Sequence, residues 1–239
     1  MQHTLQQDLP FVEFTLKHPD RTEPLGIEPH QTASWFSLTD SHYCLNLGTK
    51  KLYQYSKESN EIEHTNNSRF VDYYLVRFIE DFTEIFPRIA TDVSENYYSA
   101  LNSYSNLFEY CNEQKIRYGN DLTWVSCRTL TNNHLEFGPL IGFFKCKDEV
   151  KIIWKADQMI NNASVWSAGR GIFSMGYNEF VSEVEYFGKR FFEAMELQID
   201  LALQKKWLPI HLNEITLMNE QLVRKADFYR SLILLKDKL

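Results

Sequence analysis

Between Asn178 and Trp207 apolar residues fall at Phe180, Val184, Phe187, Phe191, Met195, Ile199 and Ala202. Steps of three and four over about eight turns put all of them on one side of a single long helix. Asn178 can cap its first turn, because the side-chain oxygen accepts an otherwise unpaired amide. Glu179 and Glu183 suit the positive end of the helix dipole, Lys205 and Lys206 suit the negative end, and Pro209 stops the run. Phe192 and Leu197 lie off the stripe, which implies cover on more than one side.

Further helical periodicity predicts partners for this helix. Phe70, Tyr74, Phe78, Phe82 and Ile85 form a stripe over Phe70–Phe86, with Asn67 or Ser68 as cap and Pro87 as terminator. On it Arg77 and Asp81 stand four apart and can pair as a structural ion pair. Asp92 or Ser94 starts another helix, running to about Gln114. The last helix spans Asn213 to Leu235, with Ile215, Met218, Leu222, Ala226, Tyr229 and Ile233 as its stripe.

Strand signals lie on either side of the Phe70 helix. Ser34–Thr39, Tyr43–Leu47 and Lys51–Tyr55, separated by Asp40-Ser41-His42 and Gly48-Thr49-Lys50, read as a meander. Residues 56 to 69 are polar and read as a surface loop. Leu122–Leu130, Leu135–Lys145 and Val150–Lys155 read as strands, the middle one bulged or kinked at Gly138-Pro139 because proline cannot donate to a ladder. Residues 156 to 177 read as a connection. Residues 1–33 form a proline-punctuated segment with an edge strand at Phe11–Leu16. The expectation is one α+β unit over residues 1–239, an antiparallel sheet packed by the long helix and two or three others.

Chemistry is harder to find. The histidines at 3, 18, 30, 42, 64, 134 and 211 are scattered without metal-ligand spacing, so neither metal nor cofactor is expected. Cys44, Cys111, Cys127 and Cys146 form no Cys-x-x-Cys pair and suit reduced, partly buried thiols. Gly-x-Ser-x-Gly and both phosphate-loop patterns are absent, and Gly169-Arg170-Gly171 reads as a turn that exposes an arginine able to meet a carboxylate. No apolar run nears the roughly 20 residues of a membrane helix, and the start lacks a signal-peptide pattern; the cytoplasm is the expected location.

Acidic residues outnumber basic ones 32 to 25, a net charge of −7, which disfavours direct nucleic-acid binding and suits a basic protein partner. Glu58, Glu61, Glu63, Glu109 and Glu113 fall in or near predicted surface segments, where they form either a solvated face or a patch for that partner.

Several segments together resemble a bacterial family of unknown function. They are Trp35-Phe36-Ser37-Leu38-Thr39-Asp40-Ser41, where the family carries glycine in place of Ser41; the Val71–Asp81 segment with Tyr73, Arg77 and Asp81; His134-Leu135-x-Phe137-Gly138-Pro139; the strand ending in Trp154; the helix from Phe180 to Ile199; and Glu220-x-x-x-Arg224. The resemblance implies an architecture and transfers no catalytic residue. Small acidic bacterial proteins without a site of their own are often immunity proteins against a toxin, an inference by association. The leading expectation is therefore a non-enzymatic cytoplasmic protein that binds and neutralises a toxin domain. Its rivals are an enzyme whose site assembles from distant residues such as Arg170, His134 and Asp40, and an oligomeric structural or regulatory protein.

Overall fold

The computed structural model describes residues 9–22, 26, 31–62, 68–101, 123–204 and 212–237. In chain order the elements are β1 (Val12–Leu16), β2 (Asp40–Leu47), β3 (Lys50–Leu52), α1 (Lys57–Ile62), β4 (Val71–Tyr74), α2 (Leu75–Ile89), α3 (Glu95–Ala100) and α4 (Thr123–Ser126). They continue with β5 (Thr129–Leu130), β6 (Leu140–Cys146), β7 (Glu149–Ala156), β8 (Met159–Ile160), β9 (Ala163–Ser164), β10 (Gly169–Gly176), α5 (Tyr177–Gln204) and α6 (Glu214–Lys236). The fold is α+β with antiparallel sheets, as the periodicity predicts.

In the first sheet β2 is central. It pairs with β1 along one edge, while β4 and β3 share the other, matching Asp40–Tyr43 and Leu45–Leu47 respectively. The second sheet has the order β10-β7-β6-β5. Its Gly171 faces Trp154 in register, and a Cβ on Gly171 would come within 2.1 Å of the indole, so only glycine admits the ring there.

One core cluster joins Phe11 and Trp35, Phe78, Phe82 and Phe86 of α2, Phe143 of β6, and Phe180, Phe187 and Phe191 of α5. Phe82 and Phe180 meet edge to face at 6.3 Å, Phe78 and Phe187 at 6.1 Å, and Trp35 and Phe191 at 6.0 Å. The whole predicted stripe of the long helix is buried, with Phe192 behind it, whereas Leu197 is exposed. Its first residue is Tyr177, whose hydroxyl donates to the Leu235 carbonyl at 2.8 Å; Trp207 and Pro209 lie outside the described residues.

Other predicted elements are corrected. Ser34–Thr39 is no strand: Ser37–Thr39 is a 3-10 turn held by reciprocal Ser34–Ser37 hydrogen bonds, and β2 runs through the predicted Asp40-Ser41-His42 turn. The expected 56–69 loop contains α1, because the Ser56 hydroxyl accepts from the Ser59 amide at 3.0 Å and nucleates a turn. Helix Phe70–Phe86 begins later, since Val71–Tyr74 pair with β2, and Pro87 sits in its last turn, where it removes a single hydrogen bond. Ser94 caps α3, and the rest of that predicted helix lies outside the described residues. Leu122–Leu130 holds α4 and only a two-residue strand; Gly138-Pro139 precede β6 rather than bulging it; and the expected 156–177 connection contains β8, β9 and all of β10.

The last helix has the predicted bounds and the Asn213 cap but the other face inward. Leu217, Gln221, Phe228, Leu232 and Leu235 are buried, whereas Ile215, Met218, Leu222 and Ile233 of the predicted stripe are exposed. Phe228 decides the rotation. Its ring fills the notch at Gly188 of α5, where a Cβ would come within 2.1 Å. Gly188→Ala should cost about 1–3 kcal/mol by overpacking, and Phe228→Leu in the same chain should restore part of it in a double-mutant cycle. Phe187→Ala and Phe191→Ala should each cost about 3–5 kcal/mol in urea unfolding, against less than about 0.5 for Lys189→Ala on the exposed side.

Candidate functional site

The segments that carry the resemblance meet in one chain of contacts. The Trp35 indole donates to Gln221 Oε1 at 2.7 Å, and Gln221 donates in turn to the Phe192 carbonyl at 3.0 Å. Arg224 lies over the Trp35 ring at 4.8 Å and pairs with Glu80. Glu80 also takes Arg77 at 3.2 Å, and Arg77 lies over Phe36 at 4.8 Å. The predicted Arg77–Asp81 pair is therefore corrected. Glu80, one turn on, and the Phe36 ring hold the guanidinium, while Asp81 turns the other way and meets His134 Nδ1 at 3.3 Å. His134 stacks on Tyr73 at 5.1 Å. Gly138 and Pro139 close the loop beneath: Asn132 donates to the Pro139 carbonyl at 2.6 Å and accepts from the Tyr53 hydroxyl at 2.7 Å. Burial pushes the Tyr53 phenol well above its ordinary value.

Asp40 stands apart from His134. Its carboxylate and that of Asp72 share Lys17, 3.1 Å from Asp40. Burial alone would lower the Lys17 ammonium, but the two carboxylates outweigh it and hold it above its usual range. Burial, with the nearby negative charge of Asp72, holds the Asp40 carboxyl above its usual range despite Lys17. Ser41 is fully buried in β2 and donates to the Tyr73 carbonyl at 3.0 Å, so this position is a strand residue rather than the expected turn.

Beside Asp81 a cleft of about 650 Å³ opens between α2 and the α4–β5 corner, lined by Asp81, Glu84, Ile85, Pro87, Arg88, Ser126, Cys127, Thr129, Leu130 and Thr131. Asp81 and Glu84 lie one turn apart on its helical wall, opposite the hydroxyl-bearing residues. Arg128 stands behind that corner, buried, donating to the carbonyls of Trp124 at 2.9 Å and Thr91 at 3.4 Å. Burial, reinforced by the like charge of Arg88, lowers its guanidinium. Arg88 offsets one of the two carboxylates, and the remaining negative charge with the facing hydroxyls offers acceptors to a lysine or arginine side chain.

The predicted partner-binding residues do not gather here. Glu58 is exposed on α1; Glu61 belongs to the same helix, its side chain outside the description; and Glu63, Glu109 and Glu113 lie outside the described residues. Arg170 on β10 is held by Asp157, with Nε at 2.6 Å. Arg170, His134 and Asp40 thus each serve a different local partner. The spacing of Leu122–Leu130 suits one strand, whereas the cleft needs the corner between α4 and β5. The signal available was Asp81, Glu84 and Arg88 at i, i+3 and i+7, on one helix face.

Residues 11–238 match the model of a family of unknown function, DUF5984. The chain belongs to this family. No curated protein and no solved structure matches it. Among the described residues no group of three or more His, Cys, Asp and Glu is placed to hold a metal ion, and no helix is long and apolar enough to cross a membrane.

The raised Asp40 carboxyl has a testable sign. Its folded-state value exceeds its unfolded one, so the contribution that favours folding is full below the unfolded value and is lost as pH rises through the folded one. Asp40→Asn escapes that loss. Relative to the parent, its urea midpoint should improve between pH 3 and pH 7; a constant difference across that range would refute the assignment.

Proposed function

We propose that this DUF5984 protein is a non-enzymatic binding protein that engages a basic protein surface, above all as a cytoplasmic immunity protein occluding a toxin domain. The supporting observation is the cleft beside α2, where Asp81 and Glu84 line one wall of an open groove on a chain of net charge −7. Long-range attraction brings a basic partner in, and the cleft receives one of its side chains. Glu58, exposed on α1, adds to the field.

An enzymatic reading has two observations in its favour. Asp81 orients His134 through Nδ1, as a carboxylate orients a catalytic imidazole, and Cys127 lines the cleft that Asp81 also lines. Against it, His134 Nε2 is buried without a partner among the described residues, and His134 does not line the cleft. The proton-accepting atom is thus shut away from the groove that would hold a substrate.

The test is co-expression with toxin domains encoded beside the gene, scoring growth rescue and binding. Rescue and a Kd at or below about 1 μM are expected. Glu84→Lys, a change at an exposed site, should slow association several-fold at low salt and speed dissociation, while leaving the melting temperature nearly unchanged. Absence of any rescuing neighbour, or an association rate indifferent to salt and to Glu84→Lys, rejects the proposal. Loss of a measured turnover in Cys127→Ser would favour the enzyme instead.

A further inference from the structure

The cleft beside α2 is not acidic along its whole length. On its helical wall Asp81, Glu84 and Arg88 stand at i, i+3 and i+7. The rise of the helix puts Arg88 about 6 Å beyond Glu84 and about 10 Å beyond Asp81. Glu84 and Arg88 are both exposed. A glutamate four residues ahead of an arginine is the order in which helical neighbours pair most readily. These two do not pair, and among the described residues neither side chain has an ionic or hydrogen-bonding partner.

Positive charge is in excess at the Arg88 end. Arg128, only 7 % exposed, lies behind the α4–β5 corner. Its terminal nitrogens donate to the Trp124 and Thr91 carbonyls, with Cys127 Sγ at 3.7 Å, and its buried Nε has no partner. No carboxylate among the described residues meets it. Both arginines suit the carbonyl-rich end of α2. Carbonyls carry no net charge, however, and a guanidinium held from water without a counter-charge is costly. The other end is the reverse. Asp81, met by His134 at 3.3 Å, and Glu84 supply negative charge there. The Thr129 hydroxyl on the facing wall already donates to the Val125 carbonyl at 2.8 Å, so its lone pairs are left to accept.

We propose that the cleft binds a single residue that carries both a basic side chain and a free carboxylate, the basic group at Asp81 and Glu84 and the carboxylate at Arg88. This rests on the reading of the cleft as a site for a basic side chain and adds the other half of the ligand. Length supports it. An extended arginine spans about 7 Å from guanidinium carbon to carboxylate carbon at ordinary bond lengths, close to the rise between Glu84 and Arg88. The volume of about 650 Å³ lies in the range of small-ligand pockets. Charge supports it too. A simple cation is attracted at one end and repelled by Arg88 at the other, whereas a residue with both charges meets an opposite one at each. The C-terminal arginine or lysine of a protein and a free basic amino acid share this chemistry.

The test is a titration of the isotope-labelled full chain, followed by amide shifts of α2 and the α4–β5 corner. Nα-acetyl-L-arginine should bind with a Kd of about 1 mM or below. Its amide, which lacks the carboxylate, and Nα-acetyl-L-citrulline, which lacks the side-chain charge, should each bind at least about tenfold more weakly. Arg88→Ala, at an exposed site, should bind acid and amide alike and keep its preference over citrulline, with the melting temperature unchanged. Free L-arginine binding more tightly than the acetylated form assigns the site to the amino acid; weaker binding assigns it to a C-terminal residue. An amide that equals the acid in the parent, while citrulline fails, overturns this proposal and leaves the cleft a site for basic side chains. Discrimination that survives Arg88→Ala also overturns it. Silence from every probe at about 20 mM overturns both readings.

Discussion

The seam of rings between α2 and α5 is the interaction on which the rest of this structure depends. Phe78 stacks on Phe82 at 5.3 Å, Phe82 meets Phe86 edge to face at 4.9 Å, and the row packs on Phe180 and Phe187. The first sheet reaches the seam through Tyr43, 5.8 Å from Phe78, and the second through Phe143, 5.2 Å from Phe82. Each sheet thus reaches the helical seam through a ring of its own, so truncating a ring of the seam removes contacts with them.

That dependence explains the contacts around Trp35, Gln221 and Arg224. Trp35 abuts Phe191 at one end of the seam, and its indole proton is accepted by Gln221 of the last helix. Arg224 and Arg77 converge on Glu80, so a single carboxylate ties α6 to α2 and to the Phe36 turn. These pairs are partly exposed, and each contributes modestly to stability. Their larger effect is to select one register among several that the apolar surfaces would accept. Asp81, four positions from Arg77, pairs instead with His134 and lines the cleft itself.

The fold was legible wherever one periodicity had one use. The α5 stripe, β7 and the bounds of α6 follow directly from spacing. It was illegible where a local pattern had two uses. Val71–Tyr74 continue the helical stripe of Phe78 and Phe82 yet pair with β2, because Asp40–Tyr43 offer open backbone groups that helix formation would leave unsatisfied. Gly169–Gly176 look like a linker because glycine is rare in strands. β10 needs Gly171 because Trp154 already fills the space. The cleft was hidden for a related reason: its second wall comes from α4 and β5, short elements whose identity only tertiary packing decides.

The last helix is the plainest example of what spacing leaves open. Its most apolar stripe faces outward, and the stripe that faces inward includes a glutamine. A hydrophobicity ranking chooses the wrong one, because it treats Gln221 as polar and ignores that both ends of its amide are satisfied, one by the Trp35 indole and the other by the Phe192 carbonyl. A buried amide so engaged costs little, whereas turned outward it would leave the Trp35 nitrogen unpaired in the core. Shape adds to this. Gly188 leaves one ring-sized notch in α5, and only the face carrying Phe228 can fill it. Hydrogen-bond satisfaction and one steric fit thus outweigh the apolar area of four or five aliphatic side chains in setting the rotation of α6.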